Sequence, residues 1–478
     1  MTVRFTSGLL AAAASATLLA GCAVGPRAPE AALPPLASGD FIGSQSATVS
    51  TAEARNDWWR LYNDPVLDGL ITQAFAENND LEAAEANLRA VRASLSEARA
   101  GRLPSTNSSG AYSRNRSSTA TTGGVGGGAG DYDIYSVGLD VSYEVDLFGR
   151  VGASIRAARA DADAQAAAVD IVRVSVAAET TRAYADACSA NAQITVAERT
   201  LGLQQNTADL TQRLLDGGAG TGLDTSRAQA ALAQTRATLP TLRAARDAAL
   251  YRLSTLTGRT PAEASDAARA CQRPPQLSQP IPVGDGAALL ARRPDVRQAE
   301  RRLAAAAARV NVATASLYPS IQLGGSIGST ALNAGDLGSK DSFSFSFGPL
   351  ISWSFPNIAV ARARIAQTSA LTDAQLATFD GVVLNALQET ETALTNYANE
   401  LDRRTALTDA RDQASNAARL SRLRFDAGAD SFLTVLDSER TLAGSEAALA
   451  QSDALVTTYQ IALFKALAGG WNPEQTAT

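Results

Sequence analysis

Histidine is absent from all 478 residues, and the chain holds only three cysteines, one methionine and 5% aromatic residues. The missing histidine removes serine–histidine triads, histidine general bases and histidine-ligated metal centres in one stroke. No two cysteines fall at Cys-x-x-Cys spacing, so that route to metal or redox chemistry has no motif either. Few aromatics beside long alanine-rich stretches suit extended helices rather than a thick globular core. A net charge of −6 and a pI near 5.1 leave no basic footprint for nucleic acid. Past the N-terminal leader no apolar run approaches the roughly 20 residues that a membrane-spanning helix needs. These absences point away from an enzyme and leave no catalytic residue, metal ligand or cofactor site to nominate.

What the chain does have is alternation. Residues 135–147 read Tyr-Ser-Val-Gly-Leu-Asp-Val-Ser-Tyr-Glu-Val-Asp-Leu, apolar at every odd position and small or charged at every even one. Strand side chains point alternately to opposite faces, so this stretch builds one apolar and one polar wall. A length of about ten residues or slightly more suits a tilted strand crossing a bilayer. The pattern returns at 343–355, where Phe343, Phe345, Phe347, Ile351, Trp353 and Phe355 alternate with serines. Four such segments are predicted, at 105–119, 134–147, 319–330 and 342–355. Single-chain membrane barrels begin at about eight strands, and an open sheet edge has no partner in lipid. If these are membrane strands, several copies of the chain must pool them into one closed barrel.

The strands sit in a repeated order. From Trp58, helical periodicity runs to about Gly101, followed by the hairpin 105–119 and 134–147, a helix over 151–215, a glycine turn, and a helix over 223–256 that Pro240 should kink or interrupt. A Pro-rich crossover spans 260–283. A helix is then expected over 286–316, strands at 319–330 and 342–355, a helix over 358–425, a turn at 426–429 and a helix over 432–467. Gly218 and Gly428 stand 210 positions apart, which reads as a duplicated half rather than a solenoid unit. The domain expectation is therefore a first repeat over 58–259, a linker over 260–283, a second repeat over 284–470 and a tail over 471–478. The glycine-rich stretch 123–128 lacks the following Gly-Lys-Ser/Thr and precedes no helix, so it reads as a loop between strands and not as a phosphate cradle.

Residues 1–21 read as an export signal, with Arg4 at the positive end, an apolar core from Leu9 to Ala20, and Leu19-Ala20-Gly21-Cys22 at its close. That tetrapeptide resembles the bacterial lipoprotein box, which implies acylation of Cys22 as the mature N-terminus; the alternative is an ordinary signal that happens to contain a cysteine. Ala23 after the cysteine resembles outer-membrane sorting. Residues 22–57 are expected to be a lipidated, extended tether, rich in Pro, Gly, Ala and Ser. In an oxidising exported compartment Cys188 and Cys271 are either a disulfide pair or two separate buried thiols.

Strand hairpin, long helix, tip turn, long helix, all occurring twice, resembles the outer-membrane factor (TolC-like) family. The signal, the Trp58-Trp59-Arg60-Leu61-Tyr62-Asn63-Asp64-Pro65-Val66-Leu67 opening and the Ala466-Leu467-Ala468-Gly469-Gly470-Trp471 ending are similar to its OprM/NodT branch of efflux lipoproteins. The resemblance implies a mixed α and β homotrimer. Its outer-membrane β-barrel would take four strands from each protomer and be continued by a long periplasmic α-helical barrel. It implies a passive exit duct for small toxic compounds, fed by an inner-membrane pump of the RND type through a periplasmic adaptor. The partners implied are thus the homotrimer, adaptor, pump and outer-membrane lipid, with no nucleic acid.

In that family the periplasmic end is held nearly shut by helices pinned near the start of the last one. The resemblance carries this role to Leu433, Asp437 and Arg440, whose i, i+4, i+7 spacing puts them on one helix face. It carries a helix-linking role to Asp224, although the equivalent second-half position is Thr434 and not an acid. Gly217, Gly218 and Gly428 would form the tip turns, with adaptor contact motivated by Arg213-Leu214 and Arg422-Leu423 beside them. Two other readings remain: an exit duct for type I protein secretion, and a structural surface lipoprotein that conducts nothing.

Overall fold

The computed structural model describes residues 24–35, 37–45, 48–116, 130–277, 279–356 and 358–470. The leader with Cys22, residues 117–119 of the first expected strand, the glycine-rich stretch 123–128 and the tail 471–478 lie outside the described residues. In chain order the elements are β1 (Val49–Ser50), α1 (Pro65–Glu77), α2 (Asn79–Ala100), β2 (Ser105–Arg116), β3 (Asp131–Val145), α3 (Arg150–Asp216), α4 (Gly222–Leu256) and α5 (Asp266–Arg269). They continue with β4 (Ile281–Pro282), α6 (Gly286–Arg292), α7 (Pro294–Ala315), β5 (Ser320–Ala331), β6 (Phe343–Ser352), α8 (Ile358–Asp426) and α9 (Phe432–Ala466). The order α2-β2-β3-α3-α4 recurs as α7-β5-β6-α8-α9. Two compact units form, one from Leu88–Gln165, Ala299–Phe379 and the described part of Met1–Ala31, the other from Ala32–Asn87, Ala166–Gln298 and Asp380–Thr478.

The first unit holds a four-stranded antiparallel sheet in the order β2-β3-β5-β6. Cross-strand register stacks like with like: Val141, Gly325 and Phe347 align on one face, as do Leu139, Ile327 and Phe345. On the opposite face Asp140 aligns with Ser326 and Ser346, whose hydroxyls meet at 2.8 Å. Among the described residues nothing covers the apolar face; Phe345 is 74% and Phe347 83% exposed. Where β3 hands over to α3, Asp146 accepts from the amides of Val151 at 2.8 Å and Gly152 at 2.7 Å, satisfying helix-start donors that otherwise lack partners. Phe148 stacks on Tyr318 at 4.8 Å, and the Trp353 indole donates to the Leu317 carbonyl at 3.1 Å, so both hairpins are tied at their feet.

The second unit packs around Trp58, which is fully buried and stacked on Phe464 at 4.6 Å. Tyr62 donates to Gln460 at 3.3 Å, and Gln460 donates to Tyr397 at 3.2 Å, so these three polar tips are paired, while the buried Trp58 indole N–H has no hydrogen-bond partner among the described residues. Tyr184 closes on Asp64 at 2.7 Å, the same carboxylate that caps α1 by accepting from Val66 at 2.9 Å. Cys188 on α3 and Cys271 after α5 are joined by a disulfide.

Several expectations are corrected. The stretch from Trp58 to Gly101 is not one helix: a short 3-10 turn over Trp58–Tyr62 ends at left-handed Asn63, α1 starts at Pro65, and Asn78 separates α1 from α2. The expected 286–316 helix is likewise broken at Arg293, which is extended because Pro294 disfavours helical geometry in the residue before it. Conversely, α4 passes through Pro240 unbroken. Pro240 is exposed there, where water can take the carbonyl its missing N–H leaves free, and the Thr238 and Thr241 hydroxyls bond carbonyls three residues back. The 342–355 strand leaves the ladder at Ser352. Nor is 22–57 simply a free tether: Phe41 and Val49 are buried in the core, and β1 pairs in parallel with β4 inside the expected linker.

Replacing Trp58 by Ala should cost about 3–5 kcal/mol, the range for deleting a buried aromatic. Circular dichroism of detergent-purified protein during chemical denaturation checks it; an unshifted midpoint would mean that the Trp58–Phe464 stack does not hold this unit together.

Candidate functional site

The two helix tips are built from one design. At the first, Gly218 takes φ 74°, Ala219 N–H bonds the Leu214 carbonyl at 2.8 Å and Gly218 N–H bonds Leu215 at 3.0 Å. At the second, Gly428 takes φ 70°, Ala429 N–H bonds Arg424 and Gly428 N–H bonds Phe425, both at 2.8 Å. This pair of bonds closes a helix through a left-handed residue, which glycine adopts without a Cβ penalty. Gly217 lies beside Gly218 as the last residue before the turn, its N–H bonded to Arg213. The matching register pairs Arg213 with Leu423, so Arg213-Leu214 and Arg422-Leu423 are one residue out of step and are not equivalent surfaces.

Leu433, Asp437 and Arg440 are all exposed along one side of α9. The opposite side buries Phe432, Val435 and Leu436. Phe432 and Leu436 join Ala208, Ala228 and Leu232 of α3 and α4 in a small apolar cluster, and Phe432 meets Phe425 edge-on at 6.0 Å across the turn. Asp224 sits in the first turn of α4, where it receives the Thr221 hydroxyl at 2.6 Å while its own amide donates to that oxygen at 3.2 Å. Its described partner is therefore the cap of its own helix.

The tie between helices comes from a residue the sequence reading passed over. Glu439, on the inward side of α9, accepts from the Thr207 hydroxyl of α3 at 2.9 Å and from Arg422 of α8 at 3.4 Å. One carboxylate thus joins three helices a few turns from the tips. Burial pushes the Glu439 carboxyl above the ordinary glutamate range, against Thr207 and Arg422, which both favour its charged form. The available signal was an acid at i+7 of the apolar stripe 432, 435, 436. Nearer the turn, Arg424 bonds Asp430 at 2.8 Å. The first tip has Gly220 at the position of Asp430, and a side chain there would meet the Leu215 amide at 2.9 Å.

Among the described residues no group of three or more Cys, Asp or Glu could hold a metal ion, and no helix is long and apolar enough to cross a membrane.

Comparisons with known proteins agree over nearly the whole chain. The family model described as outer membrane efflux protein matches residues 70–259 and 287–469. The antibiotic efflux pump outer membrane protein ArpC of Pseudomonas putida is 30% identical, with 98% of this chain and 97% of that protein covered. The pyoverdine export outer membrane protein OpmQ of Pseudomonas aeruginosa is 31% identical, with 92% and 94% covered. Among solved structures, the outer-membrane channel OprN superposes with a TM-score of 0.88 at 34% identity, covering 95% of this chain and all of that one.

Glu439→Gln keeps an acceptor for Thr207 but removes the charge that faces Arg422, so single-channel conductance in planar bilayers should rise. Acidification should do the same in the parent protein. A carboxyl whose folded pKa is raised protonates at a higher pH than an exposed glutamate, and it is falling pH that discharges it. The variant should lose that pH response; a response of unchanged size would place the titrating group elsewhere.

Proposed function

The chain belongs to the outer membrane efflux protein family, and from that premise we propose that it works as a homotrimeric exit duct of a tripartite pump. It resides in the outer membrane, extends into the periplasm and carries exported compounds outward as an efflux channel. One observation supports an assembly of several copies above others, the family supplying the number three. Among the described residues the sheet has four strands, and β2 and β6 each keep one edge unpaired. Backbone groups on such an edge have no hydrogen-bonding partner in hydrocarbon, so β6 of one copy must meet β2 of the next. Three copies give twelve strands, an even number within the range of closed outer-membrane barrels. The uncovered apolar face then meets lipid, and the serine- and glycine-rich face lines the bore.

The long helices of three copies would wall the periplasmic part of the duct, closed at its tips. There Leu433, Asp437 and Arg440 present one apolar and two charged rings toward the axis. Asp437 from three chains would repel itself, and Arg440 one turn away offsets that charge. Cys22 would carry the lipid anchor. Energy comes from an inner-membrane pump, here taken as RND type. A periplasmic adaptor would dock at the turns of Gly217, Gly218 and Gly428. Cargo is taken as small toxic compounds, since ArpC is named for antibiotic efflux.

Planar-bilayer recording tests this directly. The wild type should conduct weakly, and Asp437→Ala or Arg440→Ala should raise conductance severalfold and sensitise cells to bulky antibiotics. A silent protein would favour the structural lipoprotein; two variants with unchanged conductance would move the constriction elsewhere. Cysteines placed beside Gly218 and Gly428 should crosslink to the adaptor in cells, and capture at neither turn would remove the docking assignment.

A further inference from the structure

Beside the disulfide, the second unit contains a cavity of about 600 Å³ between α3, α8, α9 and the segment that follows Cys271. Four arginines line it: Arg199 of α3, Arg404 and Arg411 of α8, and Arg273 of the crossover segment. Two acids line it with them. Asp453 takes Arg404 at 2.6 Å, and Glu446 stands 3.8 Å from Arg199. Arg273 has no ion pair among the described residues. The Nε of Arg411 is buried without an aligned acceptor, although the neighbouring Asp412 carboxylate stands 2.7 Å away. A chain of net charge −6 thus sets four arginines against three acids here, a local excess of one positive charge in one concave space. Like charges gathered this closely repel one another, and an anion in the cavity relieves that cost.

The segment carrying Arg273 is held far more firmly than an exposed loop requires. The disulfide anchors Cys271, and the Asn191 amide donates to both the Arg269 carbonyl at 2.9 Å and the Cys271 carbonyl at 2.7 Å. Thr457 of α9 donates to the Pro275 carbonyl at 3.1 Å. Around these anchors Gln272, Arg273 and Gln276 are exposed and line the cavity, while Pro275 is buried. Fixing donors before a ligand arrives reduces the ordering cost of binding. Planar guanidinium groups suit carboxylate and phosphate oxygens in particular.

We propose that this cavity is a binding site for a soluble anion bearing two or more carboxylate or phosphate groups, separate from the cargo duct and its gate. Arg273 supplies an uncommitted guanidinium and Arg411 the donors that Asp412 leaves free, and the Cys188–Cys271 bond keeps Arg273 in place. The test is calorimetric titration of the full-length, detergent-purified chain at low salt, with citrate and inorganic phosphate as separate probes. At least one should bind saturably at one site per chain, the stronger probe identifying the preferred group. Arg273→Gln and Arg411→Gln should each weaken binding about tenfold or more, as expected for a lost hydrogen bond to a charged group. The double replacement Cys188→Ser with Cys271→Ser should weaken it severalfold. Arg273 is exposed, so its variant retains the fold, and its conductance should match the parent. Absence of saturable binding by both probes, or an affinity indifferent to Arg273→Gln, would overturn the site without touching the duct.

Discussion

A backbone amide at a sheet edge has to be hydrogen-bonded, and in hydrocarbon nothing but another strand can do it. Four strands with an aromatic wall on one face and mainly serine, glycine and acidic residues on the other cannot meet that demand alone. The composition of the faces follows from the same constraint. The exposed apolar face carries Phe343, Phe345 and Phe347, whose surface burial in lipid would remove from water. The opposite side is small, with Gly138, Gly328 and Ser344 in register, which leaves room in a bore that three such sheets would enclose.

The helical part answers a different requirement, that of placing two tips in equivalent positions. Each half ends its long helix on a left-handed glycine with the same two carbonyl-capping bonds, 210 residues apart. Around this shared backbone the halves diverge. The second tip adds the Phe425–Phe432 contact, the Arg424–Asp430 pair and the Glu439 tie. The first has Gly220 and Gly222 where the second has Asp430 and Phe432, and it relies on the Thr221 cap of α4. Duplication supplies the frame, and substitution at a few positions makes one tip the more heavily tied.

Periodicity alone was enough to read the four strands, the long helices and the tip glycines, because each rests on local pattern: alternation, small-residue helix and positive φ. What escaped was decided by contacts distant in sequence. Phe41 and Val49 look like tether residues until the core around Trp58 gives them a place, and the Ile281–Pro282 strand exists only because Val49 and Ser50 pair with it. Pro294 could have been weighed as a helix break, while the tolerance of Pro240 depends on its exposure, which sequence does not reveal. At the tip, Leu433, Asp437 and Arg440 were visible as a helix face. Glu439 was not, since its importance lies in Thr207 and Arg422, 232 and 17 residues away.

The energies of these contacts suggest where the second unit yields. Exposed ion pairs such as Arg424–Asp430 contribute roughly 0–1 kcal/mol, whereas the Trp58–Phe464 stack sits in a core where losing one ring costs about 3–5 kcal/mol. Glu439 lies between these limits, partly desolvated and shared by two donors, so removing either donor leaves a carboxylate short of partners. A pull on the tips therefore breaks the exposed pair first and the Glu439 tie next, while the aromatic core stays intact. That ordering would let the helix ends separate and return without unfolding the unit that carries them.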